Sequence, residues 1–158
     1  LVSVLNRHLA TAADAVLFED GTVDKFQGDS VMAWFNAPVP QPDHTIRAVR
    51  AALAIRSDLL SLHEVLPEES QLSFGIGIHV GDAVLGLIGT ETRLDYTAIG
   101  DSVNTAKRIQ ENAGPGQILI SEKVFSMVAD HVVVKAVEPL QAKGKKDPLH
   151  VYSLQRLR

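Results

Sequence analysis

Three short segments carry side chains whose types and spacing could do chemistry. The first is Lys25-Phe26-Gln27-Gly28-Asp29. Gln27-Gly28-Asp29-Ser30 has a tight-turn composition, so an acid stands at a hairpin tip, where it could bind a hard cation together with substrate phosphate. The second runs from Asp95 through Thr97 and Gly100 to Arg108. Asn104 and Arg108 are four residues apart and share one helix face; near a helix N-terminus, an amide and a guanidinium could grip a phosphorylated ligand. The third is the basic turn Lys143-Gly144-Lys145-Lys146, which could hold phosphate. Taken alone, each is better explained without function: as turn-forming residues, as a capped helix with a solvated polar face, and as a solvated charge run.

Other chemistries find little footing. His8, His44, His63, His79, His131 and His150 are scattered, offer no short-range metal pair, and read as structural or surface residues. The chain has no cysteine, which excludes a thiol nucleophile and a sulfur-rich zinc site. Neither a Gly-x-Ser-x-Gly elbow nor a Gly-Lys-[Ser/Thr] phosphate loop occurs.

The elements that must position these residues follow from periodicity. Leu5, Leu9, Ala12 and Val16 recur at helical spacing over residues 1–18, until Glu19-Asp20-Gly21 breaks the pattern. Thr22 to Phe26 and Val31 to Phe35 read as the two strands of a hairpin. After a proline-rich connector, Asp43 is placed to cap a long helix whose apolar face runs from Ala48 to Leu66, and Pro67 stops it. Leu72, Phe74, Ile76, Ile78 and Val80 alternate with Ser73, Gly75, Gly77 and His79. That is a strand with one greasy face and one nearly bare face, onto which something must pack closely. Ala83 to Gly89 and Leu94 to Ile99 read as two more strands around the tip Thr90 to Arg93. A helix follows over Ser102 to Asn112, ended by Ala113-Gly114-Pro115-Gly116. Gln117 to Ile120 is a short strand, Ser121 caps a helix to about Ala129, and strands His131 to Val137 and Leu149 to Leu154 close the chain. This order predicts an α+β fold: one mainly antiparallel sheet with helices on its face.

Composition agrees. The 158 residues suffice for one domain with a real core, 46% hydrophobic and 22% charged. No apolar run approaches the ~20 residues of a membrane helix. With 15 basic and 19 acidic residues the net charge is −4, which disfavours a nucleic-acid surface; an anionic ligand must be held by a few placed cations.

In order, the runs GTVDKFQGDSVMAWFNAPVPQPDHTIRAVRAALAI, FGIGIHVGDAVLGLIGTETRLDYTAIGDSVNTAKRIQENAGPGQILIS and AKGKKDPLHVY closely resemble the catalytic domain of class III nucleotidyl cyclases of the bacterial adenylate cyclase type. The resemblance runs from about Leu1 to Tyr152. It implies a ferredoxin-like, palm-type domain that turns ATP into 3′,5′-cyclic AMP and pyrophosphate. Two Mg²⁺ or Mn²⁺ ions would serve each site, and the sites would form between two copies in a head-to-tail homodimer. By position, the resemblance makes Asp29 a metal ligand, Lys25 and Thr97 the adenine-reading pair, Asn104 the residue orienting the ribose, Arg108 the cation on the transition-state phosphate, and Lys143 a triphosphate ligand. Guanylate cyclases carry Glu at the position of Lys25, which fits the donor at guanine N1. A catalytically inactive nucleotide-binding or dimerisation domain of the same fold is the alternative. A polymerase-like palm matches only Gly28-Asp29.

One departure stands out. The family's first metal-binding aspartate and phosphate-binding turn lie on a strand preceding the opening helix. The expectation is therefore an N-terminally incomplete domain spanning 1–158, part of a longer chain with an upstream regulatory module and a cytoplasmic catalytic portion.

Overall fold

In the computed structural model, which describes residues 2–141 and 147–158, the chain folds as two compact units, Leu1–Phe74 and Gly75–Arg158.

The first unit pairs helix α1 (Val2–Phe18) with helix α2 (His44–Val65). Leu9, Ala15 and Val16 of α1 and Val49, Ala51, Ala52 and Leu59 of α2 are buried, the faces that the helical spacing predicts. Arg50 Nε reaches Glu19 Oε1 at 2.8 Å at the end of α1. Asp43 does precede α2, but its side chain caps no backbone N–H; Oδ1 instead accepts from Arg47 Nε at 2.7 Å. That guanidinium holds the Asp43 carboxyl below its ordinary pKa.

Between the helices lies a hairpin of strands β1 (Thr22–Val23) and β2 (Ala33–Trp34), antiparallel, with Thr22 opposite Trp34. The ladder is much shorter than the two five-residue strands predicted. Its register would place Phe26 opposite Ser30, yet Ser30 pairs with Gln27, so one extra residue interrupts the first strand below the tip. Gly28 supplies the positive φ, +60°, that the two-residue turn requires. The base is pinned: Gln41 Nε2 donates to the Asp20 carbonyl at 3.0 Å, and Thr22 Oγ1 donates to the Ala37 carbonyl at 3.1 Å.

The second unit contains strands β3 (Gly75–Ile78), β4 (Val84–Thr90) and β5 (Arg93–Ile99), helix α3 (Asp101–Glu111), strand β6 (Gln117–Ser121), helix α4 (Glu122–Val128), and strands β7 (Val132–Ala136) and β8 (Val151–Leu157). The four-stranded sheet has the order β3-β6-β8-β7. Only β3 and β6 run parallel, and the β4–β5 ribbon with α3 forms the crossover that a parallel pair needs. Among the described residues the strands thus divide into three sheets where the sequence reading expects a single one. β6 is the core strand: Ile118, Leu119 and Ile120 are buried, and Ile109 of α3 packs with Leu119 and Val151. Ser121 caps α4 as predicted, its Oγ accepting from Val124 N at 3.3 Å. Among the described residues, no helix is long and apolar enough to cross a membrane.

Candidate functional site

The sharpest constellation lies on α3. The preceding strand β5 ends at Ile99, and Gly100, at φ +138°, turns the chain into the helix. Asn104 N donates to the Gly100 carbonyl at 3.2 Å, so the helical bonding begins one turn before Asn104. Asn104 and Arg108 then come out on the same side, as their spacing predicts, and both line a cleft of about 240 Å³. Asp101 and Thr105 of the same helix, and Asp147, Pro148 and Leu149 from the approach to β8, complete its walls. Asn104 is exposed and Arg108 half-buried. Among the described residues neither side chain has a hydrogen-bond or ion-pair partner, so both remain able to bind an anionic ligand.

Sequence reasoning missed five of the seven lining residues. Asp101 and Thr105 were within reach of it, because with Arg108 they repeat at four and three residues along one helix face. Asp147, Pro148 and Leu149 had no signal, since only the fold of the last strands brings them to α3.

Thr97 sits on β5, half-buried and opposite Gly86, and is not among the cleft residues. A Cβ on Gly86 would meet nothing within 4 Å, so the surface beside Thr97 is open. The β4–β5 ribbon also shows a large apolar surface. Leu87 faces Tyr96 and Gly89 faces Leu94 across the ladder, which places Leu87, Tyr96 and Leu94 on one face, at 65%, 49% and 51% exposure.

In the first unit, Lys25 and Asp29 occupy the outer part of the hairpin, both exposed. Ser30 N and Oγ donate to the Gln27 carbonyl at 3.0 and 2.9 Å and hold the turn that carries Asp29. Lys143 and its basic turn lie outside the described residues. No cluster of three or more imidazole or carboxylate groups arranged to hold a metal occurs among the described residues. Asp29 is thus a single, exposed, hard oxygen donor. That suits an ion such as Mg²⁺, which takes one or two carboxylates and completes its shell with water and substrate phosphate.

The scattered histidines hide one real pairing. His8 Nδ1 donates to the Val4 carbonyl at 2.8 Å, which leaves Nε2 as an acceptor. His63 Nε2 donates to it at 2.9 Å across α1 and α2, and Leu72 N also donates to it at 3.3 Å. Burial, then the neighbouring His8, push the His63 pKa below its ordinary value.

The chain belongs to the adenylate and guanylate cyclase catalytic domain family, whose model matches residues 1–156. It is 35% identical over 158 residues to adenylate cyclase 1 of Rhizobium meliloti, a match covering 98% of this chain and 24% of that protein. The chain therefore spans about a quarter of that relative's length. Its fold superposes on the solved structure of the adenylyl cyclase CyaB from P. aeruginosa with a TM-score of 0.92 at 31% identity, covering 100% of this chain and 83% of the other. The guanylyl cyclase Cya2 matches almost as well, with a TM-score of 0.90 at 32% identity over 99% of this chain and 81% of that one.

Proposed function

We propose that this domain converts ATP to 3′,5′-cyclic AMP and pyrophosphate, in sites shared by two copies of the chain. The observation that carries this reading is the cleft on α3, which Asn104 and Arg108 line together, their side chains without partners among the described residues. In the reaction the ribose 3′-oxygen attacks the α-phosphorus and pyrophosphate leaves. Asn104 orients the ribose. Arg108 meets the negative charge that grows on the phosphoryl oxygens, a contact worth more in the transition state than in the ground state. Lys143 holds the triphosphate. Lys25 donates to adenine N1, an acceptor, and Thr97 Oγ1 accepts from the adenine amino group.

Asp29 would hold Mg²⁺ or Mn²⁺. Such ions, two per site in this reading, would neutralise phosphate charge and acidify the attacking hydroxyl when bound. The exposed apolar face of Leu87, Leu94 and Tyr96 supports pairing with a second copy, because monomers seldom leave contiguous apolar surface in water.

The resemblance to the guanylyl cyclase Cya2 makes GTP the competing substrate. Lys25 favours ATP, since guanine presents a donor at N1 and would prefer a carboxylate there. The test is to supply the full-length protein with Mn²⁺ and either ATP or GTP. Cyclic AMP as the main product supports the reading. Cyclic GMP as the main product, or no cyclic nucleotide from either, overturns it.

A further inference from the structure

We infer that Gly77 and Ser102 are positioning residues: they set where α3 seats on β3, and through it where Asn104 and Arg108 stand. The inference deepens the reading above and rests on it for what those two side chains do. It starts from the nearly bare face of the strand, whose purpose the proposed chemistry leaves open. A Cβ on Gly77 would lie 2.8 Å from Gln110 Cα and 2.9 Å from the Ala106 carbonyl oxygen, and would collide with Gln110 N as well. All three are backbone atoms of α3. Ala106 O and Gln110 N are the two partners of one i to i+4 helical hydrogen bond, and Ala106 falls between Asn104 and Arg108 in the chain. Strand backbone therefore lies directly on helix backbone beneath the turn that presents both functional side chains. A clashing side chain could swing aside, but a helix backbone cannot. Anything larger than a hydrogen at Gly77 must displace the helix bodily, together with Asn104 and Arg108.

Ser102 fixes the other coordinate. It is the second residue of α3, and its Oγ donates to the carbonyl oxygen of Asp82, in the turn that leaves β3. The N-cap, Gly100, has no side chain to hold this end, so Ser102 ties the helix start to the turn that follows β3. Its Cβ would lie 2.8 Å from a Cβ placed on Gly81, a close contact to a side-chain atom where those at Gly77 are to backbone. Gly75 provides the contrast. Its Cβ would meet Ala113 Cβ at 2.9 Å and Ala113 O at 3.0 Å, beyond the last residue of α3, so it bears on the exit from the helix and not on the functional turn.

The experiment compares Gly77→Ala, Ser102→Ala and Gly75→Ala in the full-length protein, well below each variant's unfolding temperature, with crystal structures of the folded variants. Displacement of a reacting group by about 1 Å costs on the order of 100-fold, so Gly77→Ala should lower kcat by about that factor with KM for ATP within about threefold. Ser102→Ala, which deletes one hydroxyl, should lower kcat by about tenfold and carries the test if Gly77→Ala does not fold. Gly75→Ala should lose stability yet keep kcat within about threefold. In the Gly77→Ala structure α3 should stand further from β3. Wild-type kcat in folded Gly77→Ala or in Ser102→Ala overturns the inference, as does a loss of kcat that merely follows the loss of stability across all three. A fully active Arg108→Ala variant is a different failure. It removes the assignment of Arg108, and the seating is then judged by the crystal structure alone, with an undisplaced α3 overturning it.

Discussion

The helix that carries Asn104 and Arg108 and the hairpin that carries Lys25 and Asp29 are held by opposite means. α3 rests backbone-on-backbone against Gly77, buries Ile109 completely, and is tied to the Asp82 carbonyl by Ser102. The hairpin is pinned at its base by Gln41 and Thr22, but its ladder has only two residue pairs, and Lys25 to Ser30 are all exposed. Position is thus built into the first segment by packing, whereas the second presents its side chains from a surface that few contacts support. Substitutions around α3 should act through stability and placement together. Substitutions at the hairpin tip should act through chemistry alone.

The strongest way to break this contrast is to remove the charges themselves. Arg108→Ala should lower kcat by about 10²–10³, the usual loss of one transition-state charge contact. Asp29→Ala should abolish activity with either Mg²⁺ or Mn²⁺. Because Asp29 is exposed and unpacked, its variant should unfold at the wild-type temperature. Mixed together, the two inactive variants should recover part of the activity, since a heterodimer of head-to-tail copies contains one intact site. A steady-state assay on defined mixtures reads this directly, and no recovery with heterodimers confirmed would sink the shared site.

Stability should separate the two regions next. Ile109→Ala removes a fully buried side chain and should cost about 2–5 kcal/mol. Phe26→Ala, at 49% exposure on the hairpin, should cost well under about 1 kcal/mol. Equal losses in urea unfolding would show that the hairpin is as tightly held as the helix. A smaller effect is expected from the base-reading pair. Lys25→Glu with Thr97→Cys should move the ATP-to-GTP ratio of kcat/KM by about tenfold toward GTP, the scale of one exchanged hydrogen bond. An unchanged ratio would reassign the base contacts.

The same contrast explains what the sequence made legible. The four described α-helices lie within a residue or two of their expected ends, α1 and α2 because an apolar stripe at 3.6 spacing survives any later packing, α3 and α4 because glycine and proline or a serine cap bound them. The first three strands were over-read, whereas β4 to β6 lie within a residue of their expected ends. The alternation from Leu72 to Val80 reports extended backbone over nine residues, yet only Gly75–Ile78 finds a partner strand. Alternation records which way side chains point, and ladder length depends on a neighbour that lies far away in the chain. That Asn104 and Arg108 share one cleft was legible because one helix supplies both. The Asp147–Leu149 wall was not, since it depends on how β8 returns beside β6. The bare face around Gly77 was read correctly as a place of close approach, although nothing in the sequence named α3 as the element that approaches.

The subtlest consequence concerns the other pair of packed helices. His8 and His63 are 55 residues apart, so no local pattern could join them. His8 Nε2 accepts from His63 Nε2 and from Leu72 N. Phe74 lies edge-on to His63, while Arg7 on α1, Glu64 on α2, and Glu68 and Glu69 in the following turn are exposed to solvent. Burial and His8 lower the His63 pKa from 6.5 in the folded chain. The folded state therefore binds fewer protons than the unfolded state between those two values, and stability rises with pH across that window. It is complete above about pH 6.5 and is lost as pH falls through the depressed folded value. His63→Gln keeps an N–H donor for His8 and cannot titrate. Its unfolding temperature should fall less than that of the wild type between pH 7.5 and 5.5, about the usual histidine range. Identical falls in both proteins would place the acid sensitivity elsewhere.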